Sequence, residues 1–411
     1  MSYNFKVDGK WWVSEANFAD EVTKDFHFPE KIEILDTTLR DGEQEIGIIF
    51  TKEEKVAIAK KLDAAGVQRI EAGCPATSDE DAAAIKAICD LGLKADIYCF
   101  VRGVLSDMDL AKSCGVDGVI MEIPGSPQML GGGMKWGVEK AVNSAIEATR
   151  HAKELGLKIT YFPSDGSRAN IDFLCDMLNA VLDGGGYFDS VALVDTFGAF
   201  SPEGAAYMTR ELLKRVGKPV EAHFHEDFGL SVATTIEALK AGASVAHVTV
   251  NGIGERAGSC PIEPLVMSLQ CLYGQDTGIR YDQLIPLAKL VAELSGKPIP
   301  PTKAIVGDRL FGWSTGLPVG YYRKSKDVNP LIMMPYHFTM TGQHEPYIYM
   351  DKKSGGANVE FWNERLGLKA IEDKDLVKAL LKKIKELSIE KKAVITDEEY
   401  LAFYNEMFGE L

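Results

Sequence analysis

One unit recurs along this chain. A short run rich in Val and Ile is followed by a stretch with apolar residues at helical intervals, roughly every 30 residues. The apolar runs are Ile32–Leu35, Arg69–Ala72, Ile97–Val101, Val119–Ile123, Ile159–Phe162, Val191–Val194, Val220–His223 and His247–Val250. Several lack the alternation of a half-exposed strand, so they are expected to be buried on both faces, as in a parallel sheet covered by helices. Thr51-Lys52-Glu53-Glu54 opens one helical stretch with the Ser/Thr-x-x-Glu spacing of a capping box. Gly66, Gly92, Gly115, Gly156, Gly217 and Gly242 stand near the ends of such stretches, where a left-handed C-cap is wanted. This repeat predicts an α/β fold, a (β/α)8 TIM barrel with a C-terminal, mostly helical accessory region. A doubly wound open sheet is the rival. Polar motifs at the C-terminal ends of many different runs favour the barrel.

Residues 1–29 are expected to form an N-terminal extension, with paired Trp11 and Trp12, packed on the barrel or on a partner subunit. Residues 30–295 are the expected catalytic barrel. Residues 296–411 are the accessory region, introduced by the linker-like Gly296-Lys297-Pro298-Ile299-Pro300-Pro301. Its first part, 302–356, is rich in Gly, Pro, Tyr and Met and reads as irregular structure. From Asp373 onward the period is helical, with charges on a solvated face.

The chain has 411 residues and a formal net charge of -15, which argues against a nucleic-acid partner. Anionic substrates stay possible where a local Arg and a metal invert the field. No run of about 18 apolar residues occurs, so no membrane span is expected. The start, MSYNFKVDGKWWVSE, lacks the charged-then-apolar order of a signal peptide. Seven scattered cysteines fit a reduced, cytoplasmic protein better than a disulfide framework.

The residues with chemical promise lie at the ends of the apolar runs. In Ala222-His223-Phe224-His225-Glu226-Asp227, alternation sends both imidazoles to one face of a strand. Two imidazoles and one carboxylate make an open site for Mg, Mn, Fe or Zn. Asp41, in Asp36-Thr37-Thr38-Leu39-Arg40-Asp41-Gly42, is the candidate third ligand. Arg40 beside it would place a fixed positive charge next to the metal, suited to a 2-oxo acid whose carbonyl oxygen gains charge. Glu71 ends the second run and is expected to pair with Arg40 or the metal. Thr196, in Asp195-Thr196-Phe197-Gly198, offers a hydroxyl to a substrate carboxylate or a helix cap. Asn251-Gly252-Ile253-Gly254-Glu255-Arg256-Ala257-Gly258 would let backbone approach a ligand closely. Cys260 is a reactive thiol or a small filler.

Together these motifs resemble the metal-dependent DRE-TIM metallolyase superfamily. The resemblance spans roughly residues 30 to 295 and continues weakly into Val306-Gly307-Asp308-Arg309-Leu310-Phe311. The texture is most similar to the branch of 2-isopropylmalate, homocitrate and citramalate synthases, which join acetyl-CoA to a 2-oxo acid. The resemblance implies that Asp41, His223 and His225 hold the divalent metal and that Arg40 binds the 2-oxo acid. It implies that Glu71 orients Arg40, that Thr196 contacts the substrate carboxylate, and that Gly252 and Gly254 lie against the substrate or the CoA end. It further implies a homodimer in which the accessory region of one subunit reaches the barrel of its partner.

Departures from the family pattern fall on the other half of the machinery. Ser259 stands where the superfamily has an Asn near the metal. Pro163-Ser164-Asp165 replaces a Glu-Asp pair after the fifth strand, so Ser164 takes the place of the Glu. Ile123-Pro124-Gly125-Ser126-Pro127-Gln128-Met129 lacks the substrate-side His, and Thr315-Gly316-Leu317-Pro318 lacks the accessory-region His. Glu122, His337 and His344 are the candidate replacements, because carbonyl chemistry still needs a proton donor or acceptor. The expected function is a metal-dependent, Claisen-type condensation of an acyl-CoA, acetyl-CoA by the resemblance, with a non-standard 2-oxo acid. The alternative is a lyase running such a cleavage, kept open by Cys260-Pro261, which resembles the Cys-Pro of the hydroxymethylglutaryl-CoA lyase branch. A non-catalytic metal-binding homologue is a third reading.

Overall fold

A computed structural model of the chain describes residues 4–409. Eight strands close into a barrel: β1 (Glu33–Asp36), β2 (Arg69–Glu71), β3 (Asp96–Arg102), β4 (Gly118–Pro124), β5 (Lys158–Ser164), β6 (Ser190–Asp195), β7 (Val220–Phe224) and β8 (Val245–Val248). Neighbours pair in parallel, and β8 closes the ring by pairing with both β1 and β7. A closed ring has no edge strands, which removes the open sheet as an alternative. Helices α1 (Lys52–Ala64), α2 (Asp79–Cys89), α3 (Leu105–Cys114), α4 (Val138–Glu154), α5 (Ile171–Asp183), α6 (Pro202–Val216), α7 (Ser231–Lys240) and α8 (Ile262–Tyr273) follow the strands in turn, and α9 (Leu284–Ser295) ends the unit.

Local chemistry explains the punctuation. The Thr51 side chain accepts from the Glu54 backbone N–H while Glu54 reaches back, so α1 opens on a complete capping box. Gly115 and Gly217 are left-handed C-caps at φ 89° and 69°, a conformation costly for any residue with a Cβ. On α4, Ala141, Ala145, Ala148 and Ala152 are all buried. Their spacing puts them on one face, and their small size lets the helix lie close to the sheet. Inside the ring, Leu35, Tyr98, Ile120, Phe162 and Val194 pack as a filled core rather than a pore.

The eighth strand differs from the sequence reading. It runs Val245–Val248, two residues earlier than expected, because Val245 and Ala246 pair with Glu221 and Ala222 of β7 while Val248 pairs with Asp36. Val250–Gly252 is already a tight turn, with Asn251 at φ 59°. His247 is therefore an interior strand residue.

The chain divides into two compact units, Ala16–Ile299 and a second comprising residues up to Glu15 together with Pro300–Leu411. The N-terminal extension is thus shared between them. From Ala16 it belongs to the barrel unit, where His27 N–H donates to Lys240 O at 2.8 Å and the Phe26, Phe28 and Tyr273 rings cluster. Residues before it belong to the second unit, where Trp12 N–H donates to Pro335 O at 2.9 Å and His337 N–H donates to Lys10 O at 2.7 Å. The second unit carries α10 (Gly316–Ser325), α11 (Gly356–Leu366), α12 (Lys374–Lys391) and α13 (Asp397–Phe408). Trp362 is buried at its centre and donates to Ile348 O at 2.7 Å, and Tyr400 donates to Asn363 at 2.7 Å.

Ile120 is fully buried among these interior side chains. Ile120→Ala is expected to destabilise the barrel unit by about 2–5 kcal/mol, read from the midpoint of urea unfolding at unchanged slope.

Candidate active site and metal centre

His223 sits inside β7, and His225 lies one residue beyond it, tied to Ser259 by an isolated bridge. The period of two sends both rings inward, with centroids 5.3 Å apart. Asp41 arrives from the turn after β1. Asp36 accepts from the Thr38 N–H at 2.9 Å, and Arg40 N–H and Gly42 N–H both donate to Thr37 O at 3.1 Å, which folds the turn back over the barrel mouth. One ligand atom from each of Asp41, His223 and His225 falls within 4.8 Å of the others, and all three residues are buried. Neither Asp41 oxygen has a hydrogen-bond partner. A carboxylate taken out of water without partners is costly. A divalent cation bound by this set would relieve that cost, and the donor set suits one.

The rings are disposed as ligands. His225 Nδ1 donates to Gly258 O at 3.1 Å, which leaves Nε2 with its lone pair. Burial, then the nearby His225, His247 and Arg40, holds His223 well below the usual imidazole range, so it stays neutral. His223 Nδ1 lies 3.2 Å from His247 Nδ1, and His247 Nε2 lies 2.7 Å from a Glu221 carboxylate oxygen. Burial works against the Glu221 carboxylate, but the hydrogen bond from His247 and the charge of Arg69 hold it below the usual carboxylate range. Sequence reasoning missed both residues. The signal was present for Glu221, which precedes His223 by the same two-residue step that separates the histidines.

Arg40 donates through Nε to Glu71 at 2.9 Å and through Nη1 to Gln44 at 2.9 Å, with its guanidinium 4.8 Å from the Phe100 ring centroid. Burial alone would lower its pKa. The charges of Glu71 and Asp41 outweigh that and raise it, so Arg40 stays a fixed cation. Arg40 Nη2 and Glu71 Oε1 are buried without partners. Asp41, Arg40 and Glu71 thus each hold an unsatisfied polar atom at one mouth, the mark of a polar ligand's place.

The other predicted residues are distributed as follows. Glu122, on β4, adds to the negative charge acting on Arg40. Ser164 ends β5 and donates to the Met129 sulfur at 3.3 Å. Thr196 Oγ1 accepts from the Asp165 N–H at 2.7 Å, keeping its own proton to donate. Gly252 and Gly254 have φ of 66° and 154°, and the loop is folded so tightly that a Cβ on Gly258 would lie 1.9 Å from Gly252 O. Ser259 is buried, and its hydroxyl donates to Phe224 O at 3.4 Å. His337 and His344 belong to the second unit. His337 Nδ1 accepts from Thr339 N–H at 3.4 Å, while His344 has Glu345 O at 2.7 Å and Asp308 O at 2.8 Å against its two nitrogens. Cys260 is fully buried, and burial pushes its thiol up to about 12, which makes it a filler rather than a nucleophile.

The model of the HMGL-like family matches residues 31–291, the whole barrel. The chain belongs to the HMGL-like family. Among curated relatives of this family member, the 2-isopropylmalate synthase of Methanocaldococcus jannaschii is 35% identical, over 97% of this chain and 76% of that protein. The (R)-citramalate synthase of the same organism is 36% identical, over 92% of this chain and 75% of its own length. The homocitrate synthase of Methanopyrus kandleri is 34% identical, over 93% and 94%. Among solved structures, the hydroxymethylglutaryl-CoA lyase of Pseudomonas aeruginosa shares the fold, with a TM-score of 0.59 and 18% identity over 66% of this chain and 95% of that one. The curated relatives are synthases that form carbon–carbon bonds, and the DRE-TIM expectation stands.

Asp36, at the end of β1, supplies a pH test. Burial pushes its carboxyl up to about 7, against the hydrogen bonds from Thr38, and its Oδ2 has no partner. A carboxyl raised above its unfolded value binds more protons when folded, so its contribution falls as pH rises from about 4 to about 7 and is level above. Asp36→Asn should abolish that slope. Its stability relative to wild type should rise across the window by at most about 4 kcal/mol, measured by urea unfolding at a series of pH values. Parallel curves would contradict this.

Proposed function

We propose that this enzyme condenses acetyl-CoA with a 2-oxo acid, through a barrel-mouth site in which Asp41, His223 and His225 would hold a divalent metal. The observation that carries the reading is the buried set of unpartnered atoms, Asp41 Oδ1 and Oδ2, Arg40 Nη2 and Glu71 Oε1, beside two imidazoles disposed as ligands. When bound, the metal supplies Lewis-acid polarisation of the carbonyl being attacked. Arg40, held by Glu71 and Gln44, offers Nη2 to the same 2-oxo acid, where it would anchor the substrate and meet the growing negative charge. Thr196 presents its hydroxyl to the substrate carboxylate. Glu122 and Ser164 are the remaining candidates to contact the 2-oxo acid. Backbone at Gly252 and Gly254 takes the substrate or the CoA end, and Ser259 would add a neutral oxygen near the metal.

Proton transfer to and from the acyl-CoA methyl needs a further group. His337 is the first candidate for that task, and His344 is the second. A homodimer would let the second unit of one chain serve its partner's barrel. Seven free thiols support a reducing, cytoplasmic setting. Among the described residues no helix is long and apolar enough to cross a membrane.

A lyase running the reverse cleavage would use the same Arg40 and metal set. The burial of Cys260 weakens the Cys260-Pro261 argument for it.

Free thiol released from acetyl-CoA should depend on one member of a panel of 2-oxo acids and should vanish with a chelator. Arg40→Leu should lower kcat about 10²–10³-fold. Cleavage of a hydroxyacyl-CoA, with no thiol release across the panel, would replace the synthase reading by the lyase. His337→Ala or His344→Ala should cost about 10²–10⁴-fold. Full turnover in both variants would remove the histidines from the mechanism.

A further inference from the structure

The interior of the barrel holds a buried chain of groups behind the metal-binding face. Glu221, His247 and His223 are each 0 to 1% exposed. The two oxygens of Glu221 have different duties. Oε1 accepts from Arg69 Nη1 at 3.0 Å, Ser190 Oγ at 2.6 Å and Thr160 Oγ1 at 3.2 Å. Oε2 faces His247 Nε2 at 2.7 Å. An ionised carboxylate only accepts, so the proton in that contact is on His247 Nε2. In a neutral His247 ring that leaves the lone pair on Nδ1. The group facing it is His223 Nδ1 at 3.2 Å, which must donate. That leaves His223 Nε2, on the Asp41 side at 3.9 Å from its carboxylate, without a proton.

We propose that Glu221 and His247 are positioning residues that fix His223 in the one tautomer able to ligate a metal; this rests on the metal reading above. The reverse order of donors would put a proton on His223 Nε2 and block it as a ligand. A ligating histidine usually passes its second N–H directly to a carboxylate or carbonyl, as His225 does with Gly258. Here a second imidazole is interposed, and the carboxylate acts through it. Arg69, itself held by Glu33 at 2.6 Å, anchors the far end.

The arrangement makes Glu221→Gln a directed test. Arg69, Ser190 and Thr160 all donate to the Oε1 position, so the amide oxygen of the variant would settle there. Its NH₂ would then face His247 Nε2 and donate, reversing the chain. The protein has 7 histidines, few enough for assignment after ¹⁵N-histidine labelling. In the metal-free full-length protein, NMR should show His223 protonated at Nδ1. In Glu221→Gln the proton should move to Nε2, and the dissociation constant for Zn²⁺, by calorimetry, should rise about 10–100-fold. Glu221→Asp, which keeps an acceptor-only group, should retain the wild-type tautomer.

A wild-type His223 protonated at Nε2 would overturn the proposal. So would a folded Glu221→Gln protein that binds Zn²⁺ as tightly as wild type with an unchanged tautomer. Should that variant fail to fold, the wild-type tautomer decides alone. A wild-type protein with the Nδ1 proton and no Zn²⁺ binding would sink the metal reading and leave the relay standing.

Discussion

The Asp41 carboxylate is the constraint on which the rest depends. It is buried, its oxygens accept no hydrogen bond, and the nearest opposite charge, Arg40, is 3.7 Å away and committed to Glu71 and Gln44. A group in that state raises the free energy of the folded protein unless something else meets it. Two imidazoles facing the same point offer the remaining donors that a divalent cation would need. The barrel makes this arrangement tolerable, because parallel strands fully covered by helices contribute a rigid floor on which the unsatisfied turn after β1 can rest.

Around that point the electrostatics are balanced for an anionic ligand. Asp41, Glu71 and Glu122 bring negative charge to the mouth and Arg40 brings one fixed positive charge. Without an added cation the mouth would repel a 2-oxo acid, and a divalent cation would cancel that excess of negative charge. The net charge of the chain, -15, is therefore no obstacle to an anionic substrate. Where the synthase pattern has a carboxylate, Ser164 meets the Met129 sulfur, a neutral and adaptable contact.

Much of this was legible in the residues. Period-two alternation gave the shared face of His223 and His225, and the capping box at Thr51 and the glycines at Gly115 and Gly217 marked helix ends through local chemistry alone. Parallel strands buried on both faces left uninterrupted apolar runs that are easily found. The eighth strand was misplaced because Val245 and Ala246 owe their strand state to β1 and β7, partners far away in the chain. The same shift hid His247 as an interior group, and Glu221 was passed over although it shares the parity of His223. The second unit was the least readable. Short strands Gly312–Trp313 and Tyr347–Ile348 pair across it, and residues from the start of the chain dock on Pro335 and His337, contacts that leave no local period to read.

The most direct measurement is anomalous scattering from crystals of the full-length protein soaked in Mn²⁺. The account predicts one strong peak per chain at the barrel mouth, bonded to an Asp41 oxygen and to Nε2 of both His223 and His225, and absent in Asp41→Asn. Density empty there at saturating Mn²⁺, or a peak bound elsewhere, would contradict it.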